Sequence, residues 1–500
     1  MPFIPRADLV PNTFAYETEP LVKATGFREY DARWLLEKDI NLLGLQALGL
    51  GLGTYIHELG HSKIVVGHDF RSYSLSVKQA LTIGLVAAGC EVLDIGLAVS
   101  PMAYFAQFEL DAPCVAMVTA SHNENGWTGV KMGAARPLTF GPDEMGRLKD
   151  IVLGGQFKER DGGKIVRIEG MAERYIADAA SHASIARPLK VVAACGNGTA
   201  GAFAPEALRR MGVAVVVEMD CELDWTFPKY NPNPEDLEML HAMAQTVRDF
   251  GADLALGFDG DGDRCGVVDD EGEEIFADKI GLMLARDLAP LHPGSTFVVD
   301  VKSTGLYATD PILEENGCTV VYWKTGHSHI KRKSAELGAL AGFEKSGHFF
   351  MSGPLGRGYD DGLVAAAAIL SMLDRNPGKK LSELKRALPV AYTSLTMSPH
   401  CDDEKKYGVV EKVVKEYQEL AAAGGTILGR KIAEVITVNG VRVALEDGSW
   451  VLVRASSNKP EVVVVVESTR SQDDMRALFR QEVKPRLAKH PEVGAYNQEI

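Results

Sequence analysis

Residues 252–258, Ala-Asp-Leu-Ala-Leu-Gly-Phe, run directly into residues 259–264, Asp-Gly-Asp-Gly-Asp-Arg. The apolar run reads as a buried strand, and α/β proteins place their ligands at the carboxyl ends of such strands. Asp259, Asp261 and Asp263 stand at alternate positions with glycine between them, so the backbone is free to bend and let the carboxylates converge. Converging negative charges need a cation. A hard divalent ion suits oxygen ligands, and Mg²⁺ is usually held by few carboxylates together with a phosphate. A solvated acidic turn accounts for Asp and Gly, but not for the alternation or for Arg264. A calcium loop of the EF-hand kind wants Gly at its sixth position and Glu at its twelfth; here these are Arg264 and Asp270.

Outward from this strand, one rhythm recurs. Lys63-Ile-Val-Val-Gly-His-Asp69 precedes a helical pattern near 75–89, Lys190-Val-Val-Ala-Ala-Cys-Gly-Asn-Gly198 precedes one over 202–211, and Thr296-Phe-Val-Val-Asp-Val-Lys-Ser-Thr-Gly305 precedes one over 306–316. Each is followed by a further apolar strand, at 91–95, 213–218 and 319–323. Strand–helix–strand alternation predicts βαβ units and largely parallel sheets, repeated in tandem. The last hundred residues differ. A helical pattern over 402–422 leads into short strands at 433–438, 441–445 and 450–454, with hairpin signals at Asn439-Gly440 and Asp447-Gly448. A β-branched run at 461–467 and a final helix over 472–488 complete an α+β module. The expected boundaries are 1–165, 166–277, 278–390 and 391–500.

The 500 residues and 46% hydrophobic content suit a globular protein of three or four domains. A formal net charge of −15 argues against non-specific binding to nucleic acid or to an anionic membrane, while leaving room for a local phosphate site. The cysteines, at 90, 114, 195, 221, 265, 318 and 401, form no Cys-x-x-Cys pair; their odd number suggests free thiols in a reducing cytoplasm. The segment Met1–Asp8 lacks the apolar core of a signal peptide. Leu363–Leu373, the longest apolar stretch, is too short to span a bilayer and reads as a buried helix.

Other loops carry chemistry. Val115-Ala-Met-Val-Thr-Ala-Ser-His-Asn123 is an apolar strand ending in Ser121, with Lys131 shortly after. Such a serine serves as a nucleophile, a helix cap or a turn residue. Ser121 beside His122 is not expected to form a hydrolase pair, because adjacent side chains point apart on an extended chain, and no Gly-x-Ser-x-Gly elbow is present. Glu344-Lys-Ser-Gly-His348 suits sugar hydroxyls, or is an ordinary polar loop. Arg454-Ala-Ser-Ser-Asn-Lys-Pro460 offers a guanidinium fork and a turn of small polar residues, suited to a phosphate. Lys302-Ser-Thr304 and Lys324-Thr-Gly-His-Ser328 are similar loops.

Taken in order, Phe27-Arg-Glu-Tyr-Asp-Ala-Arg33, Thr119-Ala-Ser-His-Asn123, Asp259–Arg264, Trp323–Ser328, Glu344–His348 and Val453-Arg-Ala-Ser456 resemble the motifs of the α-D-phosphohexomutase superfamily, most closely the bacterial phosphomannomutase/phosphoglucomutase group. The resemblance implies four domains around a central cleft: three related α/β mixed-sheet domains and a C-terminal α+β domain of the TATA-box-binding-protein-like fold. It implies a phosphoserine at Ser121, with Asp259, Asp261 and Asp263 holding Mg²⁺ beside that phosphate. Arg28, Arg33, Lys131, Arg264 and His348 would serve phosphoryl transfer or proton handling. Tyr30, Lys302, Thr325, Gly326, His327, Glu344 and Ser346 would contact substrate, and Arg454, Ser456, Ser457 and Asn458 would grip its non-reacting phosphate. The implied activity interconverts hexose 1- and 6-phosphates of mannose and glucose through a hexose 1,6-bisphosphate, in a cytoplasmic monomer or small homo-oligomer that binds neither nucleic acid nor membrane. A phosphoglucosamine mutase or strict phosphoglucomutase is the near alternative. A metal-dependent aspartyl phosphatase and a non-catalytic sugar-phosphate sensor are the distant ones. The chain departs from the family pattern at Trp34 (usually Gly), His68 (usually Arg), Glu124 (usually Pro) and in Ser456-Ser-Asn458 (usually Ser-Asn-Thr).

Overall fold

The computed structural model describes residues 4–456 and 459–500, which fold as two compact bodies. One holds the chain through Ala277 together with Ser346–Ser382; the other holds Asp278–Lys345 and Glu383–Ile500.

The first body contains two mixed sheets. In the first, reading across, the strands Trp127–Gly133, Cys114–Val118, Lys63–His68 and Glu91–Leu97 lie side by side, with Ala32–Leu35 and Lys164–Arg167 at the edges. The last three of the four central strands are parallel, and Trp127–Gly133 is antiparallel to its neighbour. Ile64, Val65 and Val66 are all fully buried. Helices cover both faces of such a sheet, which is why this strand is continuously apolar rather than alternating. The second sheet repeats the order with Cys265–Asp269, Leu254–Phe258, Lys190–Ala194 and Ala214–Met219. In the second body, Ala341–Phe343, Thr296–Asp300 and Thr319–Trp323 repeat its parallel part. The tandem repeat read from strand spacing is therefore a repeat of topology.

One connection departs from expectation. The predicted continuous helix over 306–316 is a 3₁₀ turn, Gly305–Thr309, followed by a short helix, Pro311–Glu315. Asp310 caps that helix by accepting from Ile312 N and Leu313 N, and Pro311 at its first turn has no N–H to continue an earlier ladder.

The helices Leu42–Glu58 and Ser74–Ala87 pack backbone to backbone. A Cβ on Gly84 would lie 2.1 Å from the Gln46 carbonyl oxygen, and one on Gly49 would lie 2.0 Å from that of Leu81. Neither neighbour is a side chain that can rotate away. Gly84→Ala is expected to destabilise the first body by about 3 kcal/mol, measurable as a lower unfolding midpoint. Leu363–Leu373 is helical as expected, within Gly362–Arg375, and buried in the first body.

The fourth domain is an antiparallel sheet in the order Tyr392–Thr393, Val462–Ser468, Trp450–Ala455, Val441–Leu445, Arg430–Ile436, Thr426–Ile427. The helix Asp403–Ala422 packs on it. Its last helix is interrupted: Gln472–Ala477 and Lys484–Leu487 flank a π-helical turn at Leu478–Val483, just before Pro485, whose missing N–H opens the ladder. Within the second body this sheet is joined to the third repeat by buried Val301, Trp450, Leu452, Val463 and Val465.

Candidate active site

In each repeat the loop after the third parallel strand carries a singled-out motif: Thr119–Asn123, Asp259–Arg264 and Glu344–His348. The first two meet inside the first body. The Ser121 hydroxyl donates to Asp259 Oδ2 at 2.9 Å across 138 residues of sequence. Gly260 is needed at this meeting, since a Cβ there would come 2.4 Å from the Ser121 carbonyl oxygen.

Ser121 has φ +52°, in the left-handed region that L-residues with side chains seldom adopt. This conformation overturns one expectation. Ser121 and His122 are not on extended chain, and Ser121 Oγ lies 3.1 Å from His122 Nδ1. Burial, reinforced by Arg264 and Arg33, holds the His122 imidazole well below the usual histidine range, so it is the neutral ring that faces the serine.

Asp259, Asp261 and Asp263 are fully buried and offer oxygens all within 4.8 Å of one another. Lys131 lies between them, donating to Asp261 Oδ2 at 2.7 Å and to Asp263 Oδ2. Ser100 adds a hydroxyl to Asp261 at 2.5 Å. Asp259 Oδ1 accepts from the backbone of Asp263 and Arg264. Burial and the two other aspartates push the Asp259 carboxyl up to about 8. Asp263 is also raised, by burial and Asp261. For Asp261 burial acts upward as well, but Lys131 outweighs it and holds the group ionised. Three carboxylates with Lys131 bonded to two of them, and with Arg264 and His348 only at 4.0 Å and 3.6 Å, titrate as a unit, and the raised Asp259 and Asp263 mark that unit as short of positive charge. Asp261 Oδ1 and Asp263 Oδ1 are buried without a hydrogen-bond partner among the described residues, as expected of atoms placed to hold a cation.

Around this loop lie more of the predicted groups. Arg264 Nε donates to His348 Nε2 at 3.0 Å and lies 4.0 Å from Asp259 Oδ2. His348 Nδ1 faces Asp360 Oδ2 at 3.0 Å and Asp263 Oδ1 at 3.6 Å. Burial lowers the His348 pKa, but these carboxylates reverse that and leave it raised. Arg33 reaches the serine loop through Asn123 Oδ1 at 2.9 Å while pairing with Asp31. Arg28 and Tyr30 lie half-buried in the turn before the strand Ala32–Leu35. Ser346 is buried in the first body, and its hydroxyl has no hydrogen-bond partner among the described residues.

The second body holds the others. Asp300 organises the third-repeat loops, accepting from Ser303 Oγ at 2.6 Å and Thr325 Oγ1 at 2.9 Å, with Lys302 Nζ 4.0 Å away. Gly326, at φ +126°, caps the helix that His327 begins. Glu344 is buried and its Oε2 lacks a hydrogen-bond partner among the described residues. Arg454 is buried at the end of the strand Trp450–Ala455, and Ser456 Oγ accepts from Lys459 N at 3.2 Å. Ser457 and Asn458 lie outside the described residues.

Sequence reasoning missed Asp360, Ser100, Asp69 and Arg71. Asp360 precedes the helix-capping Asp361 and looks like part of the cap. Ser100 begins a helix after the second strand of the first repeat, a position matching that of the noticed loop 324–328 in the third. Two of the departures have structural accounts. Trp34 is fully buried, stacks edge-on against Phe27 at 5.2 Å and donates to Lys23 O at 2.8 Å. His68 Nδ1 lies 2.7 Å from the Asp69 carbonyl oxygen.

Three repeated α/β domains, an antiparallel fourth domain and a serine seated on a buried acidic loop place the chain in the α-D-phosphohexomutase superfamily. The family's alpha/beta/alpha domains I, II and III match residues 24–159, 173–272 and 276–392, and its C-terminal domain matches 401–484. The chain belongs to the phosphoglucomutase/phosphomannomutase family. It is 32% identical to a phosphomannomutase/phosphoglucomutase of Pseudomonas putida, covering 88% of this chain and 91% of that one. It is 30% identical to a phosphoglucomutase of Neisseria gonorrhoeae, covering 88% and 92%. A phosphoglucomutase/phosphomannomutase family protein of Burkholderia thailandensis superposes with TM-score 0.84 at 28% identity, over 95% of this chain and 99% of that one. Among the described residues no helix is long and apolar enough to cross a membrane.

Proposed function

We propose that the protein interconverts hexose 1-phosphates and hexose 6-phosphates of mannose and glucose, through a phosphoserine at Ser121 and a hexose 1,6-bisphosphate intermediate. The observation that carries this reading is the Ser121 hydroxyl on Asp259 within a carboxylate cluster short of positive charge. The cluster fits Mg²⁺, with Asp259, Asp261, Asp263 and the phosphate on Ser121 as ligands; when bound, the ion neutralises charge on that phosphate. The chain's residues do the rest. In the first half-reaction the Ser121 P–O bond breaks as a sugar hydroxyl forms a new bond to phosphorus, and His348 takes the hydroxyl proton. In the second, after the bisphosphate turns over, the other phosphoryl group returns to Ser121 and the proton returns to the product alkoxide.

Phosphoryl transfer is mostly positioning and charge neutralisation. Lys131, Arg264, Arg33 and Arg28 supply the positive charge. Glu344 and Ser346, together with Tyr30, Lys302, Thr325, Gly326 and His327, hold the sugar. Arg454 and Ser456, with Ser457 and Asn458, hold the phosphate that does not react. The domains are taken to run 1–165, 166–277, 278–390 and 391–500, in a cytoplasmic monomer or small homo-oligomer.

Steady-state turnover on mannose, glucose and glucosamine 1-phosphates, with hexose 1,6-bisphosphate and Mg²⁺ present, tests the reading. Comparable turnover of mannose and glucose phosphates is expected, abolished by chelation and restored by Mg²⁺. Turnover of glucosamine phosphate alone would overturn the sugar assignment.

A further inference from the structure

Asp69 and Arg71 have no role in the reaction described above, yet both are buried beside its nucleophile, at 0% and 3% exposure. Arg71 NH1 donates to Asp69 Oδ2 at 2.5 Å. Arg71 NH2 donates to the carbonyl oxygens of Ser121 at 3.0 Å and Asn123 at 2.7 Å. Asp69 Oδ2 also accepts from Ala120 N at 3.2 Å, and Asp69 N donates to Val118 O at 2.9 Å. The Ser74 hydroxyl donates to the other carboxylate oxygen. The Arg71 guanidinium lies 5.3 Å from the ring centroid of Phe227, a residue of the second repeat. The pair thus ties the backbone on both sides of Ser121.

That backbone needs holding. A serine at φ +52° sits in a sparsely populated region that persists only where its surroundings over-determine it. Thr119 Oγ1 accepts from Ser121 N at 2.9 Å, and the Asp69–Arg71 pair holds the adjacent N–H and the carbonyls. A relaxed Ser121 would swing its hydroxyl away from Asp259.

We infer that Asp69 and Arg71 are positioning residues that hold Ser121 in its left-handed conformation, so that its oxygen is aimed at the acidic loop for phosphoryl transfer. The inference rests on the mutase reading. The pair bonds the backbone of the serine loop and not the Ser121 hydroxyl.

The test follows phosphate uptake on Ser121 from hexose 1,6-bisphosphate by intact mass, alongside steady-state kinetics. The proteins are wild type, Arg71→Met, Arg71→Lys and the double variant Asp69→Asn/Arg71→Met, which removes the buried charge pair together. Arg71→Met is expected to slow uptake and kcat about 100-fold, while the final fraction phosphorylated stays near that of wild type and KM moves less than about threefold. Arg71→Lys, which keeps the charge for Asp69 but lacks the fork, is expected to fall between. Uptake by Arg71→Met as fast as by wild type would overturn the inference. So would a final phosphorylated fraction that falls in step with the folded fraction in both the single and the double variant, because the pair then only stabilises the fold. A wild-type protein that takes up no phosphate on Ser121 would instead sink the mutase reading itself.

Discussion

Ser121→Ala is expected to reduce hexose phosphate interconversion by about 10⁴-fold or more, the scale on which losing a nucleophile is felt in covalent catalysis. The substitution removes one oxygen and little else. The hydroxyl interacts with Asp259 Oδ2 and His122 Nδ1, while the backbone that sets its direction is held by Thr119, Asp69 and Arg71. Unfolding should therefore stay close to that of wild type, and intact mass after incubation with hexose 1,6-bisphosphate should show no added phosphate. The same variant separates the reaction classes. An aspartyl phosphatase built on Asp259–Asp263 would keep its hydrolytic activity without Ser121. Retained turnover in Ser121→Ala would remove the phosphoserine from the mechanism.

The second large effect is expected in the other body, at Glu467. This carboxylate is fully buried between the third repeat and the fourth domain. It accepts from Gly305 N at 2.7 Å, Trp450 Nε1 at 2.9 Å, Thr304 Oγ1 at 3.0 Å and Thr393 Oγ1 at 2.5 Å, with Lys279 Nζ 3.4 Å away. Arg442 stands close by. Its guanidinium donates to the carbonyls of Val301 and Ser303 at 2.7 Å and lies 3.8 Å from the Trp450 ring centroid. Glu467→Ala strands several buried donors and the Lys279 charge, which is expected to cost about 3–5 kcal/mol. The readout is early unfolding of this body, with faster amide exchange at Gly305 and along the strand Val462–Ser468.

The pH dependence follows from the same contacts. Burial alone would raise the Glu467 pKa, but Lys279 and the donors from Thr393, Gly305 and Trp450 pull it down to about 2. A depressed folded pKa stabilises above the unfolded value. The contribution, on the order of 3 kcal/mol, is complete above the ordinary glutamate range near pH 4.3 and is lost as pH falls toward 2. Wild type should lose stability in this window more steeply than Glu467→Ala. Parallel acid profiles would mean that the carboxylate is not held ionised by these partners.

Much of this molecule was legible along the chain. The acidic loop is legible because three aspartates spaced by glycine within six residues state their need for a cation locally. The repeats are legible because buried parallel strands are continuous apolar runs and their connections are helical. The hairpins at Asn439-Gly440 and Asp447-Gly448 follow from turn chemistry that two residues carry by themselves. The reading failed where a proline outweighed periodicity, as at Pro311. The reading of Ser121 and His122 as pointing apart failed because it assumed extended backbone. The left-handed serine is held by Asp69 and Arg71, some fifty residues away.

The α/β repeats, the antiparallel fourth module, the acidic loop and the candidate nucleophile are all readable along the chain. Each is encoded by residue spacing within one strand, turn or loop. Folding adds that the serine's oxygen rests on the acidic loop of the next repeat, that Asp360 lies against His348, and that Glu467 joins the third repeat to the fourth domain. Those relations depend on side chains that approach across 138, 12 and 163 residues, respectively. Burial sets their energies, by removing water from charges that a sequence shows only as letters.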